Sequence, residues 1–243
     1  VVATAFIGLS FGYQVMAVRE STARNRLFVR DHGNTLLRQA EYAMELRRML
    51  EPRAVLPASR RWAACPDLLA AVTDAIMDTR PTTVVECGAG LSTITSSLAL
   101  EKFCGPGARM LTLEHDEAWA EESRRRIRRH GLEGVSRIVS SPLASCDVGG
   151  RRLQWYDLTA VDLPERIDLL VVDGPPRESS DLARYPAGPI LNDRLVSGAI
   201  IILDDAARPE ERTSVDRWIR ELGWERLPMV TDTEKGIAIL RKP

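Results

Sequence analysis

The hydrophobic pattern of this chain changes character three times. Residues 1–18 carry no charge, and all but Thr4, Gly8, Ser10, Gly12 and Gln14 are apolar. Residues 19–51 are charged throughout, with Leu36, Leu37, Ala40, Met44 and Leu50 as a narrow apolar stripe at helical spacing. Pro52 and Pro57 stop that helix. From Pro66 onward, short β-branched runs alternate with longer amphipathic stretches. Pro66 and Asp67 open a helix to about Thr79, with proline in the first position and an acid in the first turn. Thr82–Cys87 reads as a first strand, Leu91–Phe103 as a helix and Arg109–Glu114 as a second strand. Glu117–His130 is a charged helix ended by Gly131. Val135–Val139 is a third strand, and Arg151–Tyr156 a short extra one after the Gly149-Gly150 turn. Ile167–Asp173 is a fourth strand, a continuous apolar run suited to burial on both faces. Pro186–Leu195 reads as helix, Ala199–Asp204 as a fifth strand and Pro209–Leu222 as helix. Glu225–Val230 and Gly236–Arg241 close the chain as two strands around a polar turn. This alternation predicts an α/β fold: a doubly wound, mostly parallel seven-stranded sheet with an N-terminal helical extension.

The same pattern divides the chain into an apolar helix (1–18), a charged helical linker (19–61) and the α/β domain (62–243). As a helix, residues 1–18 would span about 27 Å at ~1.5 Å per residue, near the thickness of a bilayer core. The arginines at 19, 24, 26 and 30 would then keep the following domain on the cytoplasmic face. A buried or dimer-forming helix is a second reading of this segment, and a homodimer would follow from it. A signal peptide is a third, against which stands the absence of a charged leading region.

Composition narrows the function classes. A chain of 243 residues accommodates one sizeable α/β core plus an appendage. With 44% hydrophobic and 28% charged residues it is globular rather than disordered. A net charge of −1 gives no general attraction to nucleic acid, and none is expected as a partner. The charge is uneven, since residues 19–61 hold ten arginines against five acids. The run Arg124, Arg125, Arg126, Arg128 and Arg129 follows Glu121 and Glu122, which pair with it along a solvated helix face. Cys65, Cys87, Cys104 and Cys146 form no C-x-x-C pair and read as reduced thiols of a cytoplasmic protein. His32, His115 and His130 are scattered.

The chemistry gathers where the strands end. Thr82–Ser92, TTVVECGAGLS, runs from a strand through Glu86, Gly88 and Gly90 into a helix, and such turns receive nucleotide-like ligands. A carboxylate at Glu86 suits a ligand with positive charge or free hydroxyls better than a phosphate. The second strand ends at Glu114-His115-Asp116, and the third runs into Ser140-Ser141-Pro142-Leu143. The fourth ends at Asp173-Gly174 and the fifth at Asp204-Asp205. Acids at four strand ends repel one another unless cations, ligand hydroxyls or amide donors compensate.

On these residues the chain resembles the class I S-adenosylmethionine-dependent methyltransferases over roughly residues 62–243. Glu86, Gly88 and Gly90 occupy the family's acid-x-Gly-x-Gly pattern, and Glu114 closes the second strand as its acid does. The resemblance implies a Rossmann-like methyltransferase fold and S-adenosylmethionine as cofactor. It implies that the glycine turn holds the methionine part and that Glu114 takes the ribose hydroxyls, with Ser92 and Asp173 as further cofactor-binding candidates. His115 and Asp116 would flank the adenine, and Ser141 and Leu143 would line its pocket. Within the family, VVDGPP at 171–176, ARYPA at 183–187 and LDDAAR at 203–208 resemble bacterial small-molecule and sugar O-methyltransferases. The metal-dependent members of that group imply Mg²⁺ on Asp173, Asp204 and Asp205, binding an acceptor hydroxyl and lowering its pKa. Catechol-type enzymes carry a lysine three residues after the first aspartate. This chain has Pro176 there and Arg177 next, leaving Asp173 and Arg177 as candidate catalytic residues. Arg184, Arg208 and Tyr185 are candidates for the substrate rim.

Blander readings stand beside these. Asp204-Asp205 would also cap the helix opening at Pro209. Arg184 and Arg208 would also pair with neighbouring acids. Trp62 would serve as packing or as a site contact, and Cys87 as a small apolar filler. The expected function is methyl transfer to a hydroxyl of a small molecule or a glycan- or lipid-linked acceptor, with or without Mg²⁺. An NAD-dependent oxidoreductase and a membrane-tethered scaffold with a vestigial core are the alternatives.

Overall fold

A computed structural model of the chain describes residues 30, 33–58, 63–228 and 233–243. The apolar segment 1–18, the linker as far as residue 29, and Trp62 lie outside the described residues. Among the described residues no helix is long and apolar enough to cross a membrane. The chain divides into two compact units, residues 1–43 and 44–243. In the first, residue 30 and residues 33–43 are helical, and Leu36 and Leu37 are exposed.

The second unit begins with helical residues 44–50 (α1). Met44 of the expected stripe is exposed there, while Leu50 of that stripe enters the core together with Leu46. Then follow α2 (Pro66–Thr79), β1 (Thr83–Cys87), α3 (Leu91–Cys104), β2 (Arg109–Glu114), α4 (Glu117–His130) and β3 (Ser136–Ser140). A hairpin of β4 (Leu143–Val148) and β5 (Arg151–Tyr156) precedes β6 (Ile167–Val172), α5 (Ala187–Leu191) and β7 (Leu195–Leu203). The chain closes with α6 (Pro209–Leu222), β8 (Glu225–Arg226) and β9 (Ala238–Arg241).

The helix ends fall where local chemistry put them. Gly131 takes a left-handed φ of 65° and donates its N–H back to Arg128 and Ile127, terminating α4. Asp116 caps the other end, accepting the Trp119 N–H at 2.7 Å.

The seven-stranded sheet has the order β3-β2-β1-β6-β7-β9-β8. β3, β2, β1, β6 and β7 are parallel, while β9 runs antiparallel to β7 and β8 to β9. The central strands alternate their side chains between two cores, as pleating requires. Val84, Leu169, Val171, Ile200 and Ile202 face α1, α2 and α3. Val85, Cys87, Leu170, Val172, Ile201 and Leu203 face α5, α6 and the hairpin. Each such aliphatic side chain, fully buried, contributes roughly 1.5–3 kcal/mol.

Three expectations need correction. Leu143 opens β4, opposite Tyr156, so the extra strand 151–156 has a partner the sequence did not announce. The helix expected over 186–195 is only α5 and a single 3-10 turn, and β7 begins at Leu195. There Gly188 lies so close to the Trp218 indole that a Cβ would stand 2.2 Å from its Nε1, a packing that no helix pattern reports. The closing strands are shorter than expected, and residues 229–232 lie outside the described set.

Candidate active site at the strand carboxyl ends

Parallel pairing brings the ends of β1, β2, β6 and β7 to one level, since Cys87 pairs with both Leu113 and Val172, and Val172 with Leu203. The ladder continues one residue further, with Asp173 N–H donating to Cys87 O and Asp204 N–H to Val172 O. The acids that follow the strands are therefore neighbours in space.

The glycine turn is built on two close approaches. Gly88 has φ +92° and donates its N–H to Leu113 O at 2.8 Å. A Cβ on Gly88 would stand 3.1 Å from Asp173 O, and one on Gly174 would stand 2.9 Å from Gly88 Cα. Gly88 thus lets the backbone of the β6 end approach the turn. Gly90 differs: a Cβ there would meet nothing within 4 Å, so it borders open space.

Glu86 lies fully buried beneath this turn. Its Oε2 accepts from Thr93 Oγ1 at 2.6 Å and Thr112 Oγ1 at 2.9 Å. Thr93 Oγ1 in turn accepts the Gly90 N–H at 2.9 Å, which ties the acid to the loop and to the start of α3. Glu86 Oε1 makes no hydrogen bond of good geometry among the described residues. Burial pushes the Glu86 pKa up to about 7, opposed by the Thr93, Ser92 and Thr112 hydroxyls and raised further by Glu114.

Glu114 holds the loop from the other side. Its Oε2 accepts the Ala89 N–H at 2.8 Å and its Oε1 the Asp116 N–H at 2.9 Å. An ionised carboxylate has about four acceptor positions, so two remain for a ligand. His115 Nδ1 lies 2.8 Å from Glu114 Oε1 but outside hydrogen-bond geometry. Asp116 is committed to capping α4. Ser141 is buried, donating its N–H to Glu114 O and its hydroxyl to Asp157 O, each at 2.7 Å. Ser92 is buried in the first turn of α3, and Leu143 is half-buried at the root of the hairpin.

Trp119 escaped the sequence reading. Its indole N–H donates to Ala89 O at 2.6 Å while the ring stays 42% exposed beside the turn. Arg126 covers the ring, its guanidinium 5.1 Å from the centroid. The only local signal was a tryptophan three residues after the strand-end acids.

The second cluster joins Asp173, Asp204 and Asp205, each offering a carboxylate oxygen within 4.8 Å of the others. The Asp173 side chain is 15% exposed and that of Asp205 5%, so Asp173 is nearer the open side. Asp173 is held well above the usual carboxylate range by burial and by Asp204, against the pull of Arg184. Asp204 is raised for the same reasons, with Asp205 as its acidic neighbour.

Arg184 corrects the expectation of a substrate rim. It is 5% exposed and its guanidinium lies inside the acid cluster. Nη2 is 2.8 Å from Asp205 Oδ2 and 3.2 Å from Asp173 Oδ1, and Nη1 donates to Asp204 O at 2.9 Å. Tyr185 is likewise buried, its hydroxyl donating to Glu221 Oε2 at 2.6 Å, so it does not close over a substrate. Arg208 is bound to Asp205 at 2.9 Å. Arg177 is exposed and pairs with Glu210 at 3.8 Å, with no contact tying it to Asp173. Lys235, half-buried, is a further cation within electrostatic reach of all three aspartates.

A separate cleft of about 310 Å³ opens at the amino ends of the strands, beside Thr83, Arg109, Arg137 and Asp162. Its residues bring together none of the buried, perturbed acids, so the strand carboxyl ends remain the site.

Residues 85–206, half of the chain, match the model of a methyltransferase-domain family. No curated protein matches the chain by sequence. Among solved structures, an O-methyltransferase from Bacillus cereus in complex with SAH is similar, with 19% identity and a TM-score of 0.53. That match covers 83% of this chain and 91% of the other. A SAH-bound Podospora anserina methyltransferase matches at 15% identity and a TM-score of 0.55, covering 84% and 87%. The O-methyltransferase TomG from Streptomyces achromogenes, involved in tomaymycin synthesis and solved with SAM, matches at 16% and 0.52, covering 84% and 88%. Likeness at these identities is a likeness of fold.

Proposed function

The chain belongs to the methyltransferase family whose model spans residues 85–206, and from that premise we propose that it is an S-adenosylmethionine-dependent O-methyltransferase. Its acceptor is a hydroxyl of a small molecule or of a glycan- or lipid-linked compound. One observation carries the cofactor assignment: two buried acids, Glu86 and Glu114, grip the glycine turn from opposite sides while Gly90 borders open space. Among the described residues Glu86 Oε1 makes no hydrogen bond of good geometry, a deficit that a cationic ligand would compensate, and Glu114 retains acceptor positions for a ribose diol. A pyrophosphate beside Glu86 would be repelled, which disfavours the dinucleotide alternative.

The cofactor supplies a methyl group already activated on a sulfonium, so the chain's part is to orient an acceptor and take its proton. Asp173, the most accessible acid of the second cluster, supports the role of base. Its carboxylate accepts the acceptor O–H proton, the oxygen pair forms the new O–CH₃ bond, and the C–S pair stays with sulfur as a neutral thioether. The O-methyltransferase names of the similar structures are the second support for oxygen as the acceptor atom.

Mg²⁺ was expected on Asp173, Asp204 and Asp205. Their oxygens suit a hard cation, but the Arg184 guanidinium already lies among them. The site as folded does not fit a divalent ion, and the proposed transfer uses none.

The test is calorimetric titration of purified protein with S-adenosylmethionine, followed by detection of S-adenosylhomocysteine with candidate acceptors. Binding is expected to weaken in Glu114→Ala, and turnover to vanish in Asp173→Ala with binding retained. Absence of cofactor binding by the wild type ends the proposal.

A further inference from the structure

We propose that Arg184 takes the place of a divalent cation in this chain, holding Asp173, Asp204 and Asp205 together so that the acceptor side of the cleft works without a metal. The inference rests on the proposed methyl transfer only in calling this the acceptor side; the claim about cation binding stands apart from it.

Arg184 is no surface side chain that happens to fall inward. The backbone around it is fixed from several directions. Leu182 takes a left-handed φ of 50° and accepts the Tyr185 N–H at its carbonyl, 2.9 Å away. Trp218 Nε1 donates to Tyr185 O at 2.9 Å, and the Tyr185 ring carries Arg217 with its guanidinium 4.0 Å from the centroid. The guanidinium then meets the Asp173 and Asp205 carboxylates through Nη2 and the Asp204 main-chain carbonyl through Nη1. Its planar donors suit several oxygens at once, which a lysine could not match.

The charges also come close to balance without an ion. Four acids meet here, Asp173, Asp204, Asp205 and Glu211, against the cations Arg184, Arg208 and Lys235. A magnesium ion would draw its oxygens to about 2.1 Å in octahedral order. Two of those oxygens already accept from Arg184 Nη2, and the Arg184 side chain is buried. A metal site would also favour acceptors that chelate through two oxygens. An arginine-filled site makes no such demand, so a single isolated hydroxyl suffices.

The experiment is Mn²⁺ titration of the full, cofactor-free chain, followed by electron paramagnetic resonance. The wild type is expected to leave the spectrum that of the free ion. An ion bound by the wild type and lost in Asp204→Asn overturns the proposal. Arg184→Ala is expected to gain a Mn²⁺ site, lost again when Asp204→Asn is added. A folded Arg184→Ala that stays blind to Mn²⁺ also overturns it, and if that variant does not fold the wild-type titration decides alone. Neither cofactor nor acceptor is used, so the outcome is independent of whether methyl transfer is observed.

Discussion

Gly88 and Gly174 face each other across the ends of β1 and β6, so closely that a Cβ on Gly174 would stand 2.9 Å from Gly88 Cα and 2.5 Å from Tyr156 Oη. Gly174→Ala must therefore push the two turns apart or displace the hairpin. The expected cost is about 1–3 kcal/mol from overpacking. Gly88→Ala adds the strain of φ +92° for a residue with a side chain. Urea unfolding measures the loss, and both variants are expected to lose cofactor binding as well.

Glu86 makes stability depend on pH. Its folded pKa of about 7 lies above the ordinary 4.5, so the folded state keeps a proton that the unfolded chain releases. The contribution is fully present below about pH 4.5 and is lost as pH rises towards 7, by roughly 3 kcal/mol. Glu86→Gln should flatten that stretch of the stability curve. A cofactor cation stabilises the ionised form, so wild-type affinity should rise with pH through 7 and that of the variant should not. Calorimetry in buffers of different ionisation enthalpy would detect the proton released on binding.

Glu114→Gln keeps the shape of the side chain but leaves a single oxygen where two backbone N–H groups now bond. One of Ala89 N–H and Asp116 N–H then lacks a partner. A stability loss of about 1–3 kcal/mol is expected from the unpaired donor. Cofactor affinity should fall by about tenfold or more, the equivalent of losing one charge-assisted hydrogen bond. An unchanged dissociation constant would remove Glu114 from the cofactor site.

Trp119→Phe removes the indole N–H bonded to Ala89 O and retains an aromatic ring beside the turn. Because the ring is 42% exposed, the effect on stability should stay below about 1 kcal/mol. The KM for the cofactor should rise while kcat holds, since the bond steadies the loop and touches no reacting atom.

Much of the cofactor half of the site was legible from the sequence because its signals are local. Thr83–Cys87 is a β-branched run, Gly88 follows at once, and Glu114 and Asp173 are set at strand ends by the lengths of those strands. Proline at the first helical position fixed the start of α2, and glycine after the last residue fixed the end of α4. Burial itself was not legible. Trp119 and Glu86 meet at the same turn from sequence positions far apart, and no period of the sequence records which oxygen ends without a partner.

The acceptor half marks the boundary between sequence and tertiary structure. The sequence by itself determined a parallel α/β sheet, a glycine turn flanked by acids, and aspartates at the ends of β6 and β7. It could not tell whether Arg184 would face solvent or those aspartates, 11 and 21 positions away along the chain. Only the packing of Tyr185 against α6 and the left-handed Leu182 turned it inward. Burying a guanidinium is favourable only where several acceptors converge to replace its water, and that convergence exists only once β6 and β7 have aligned.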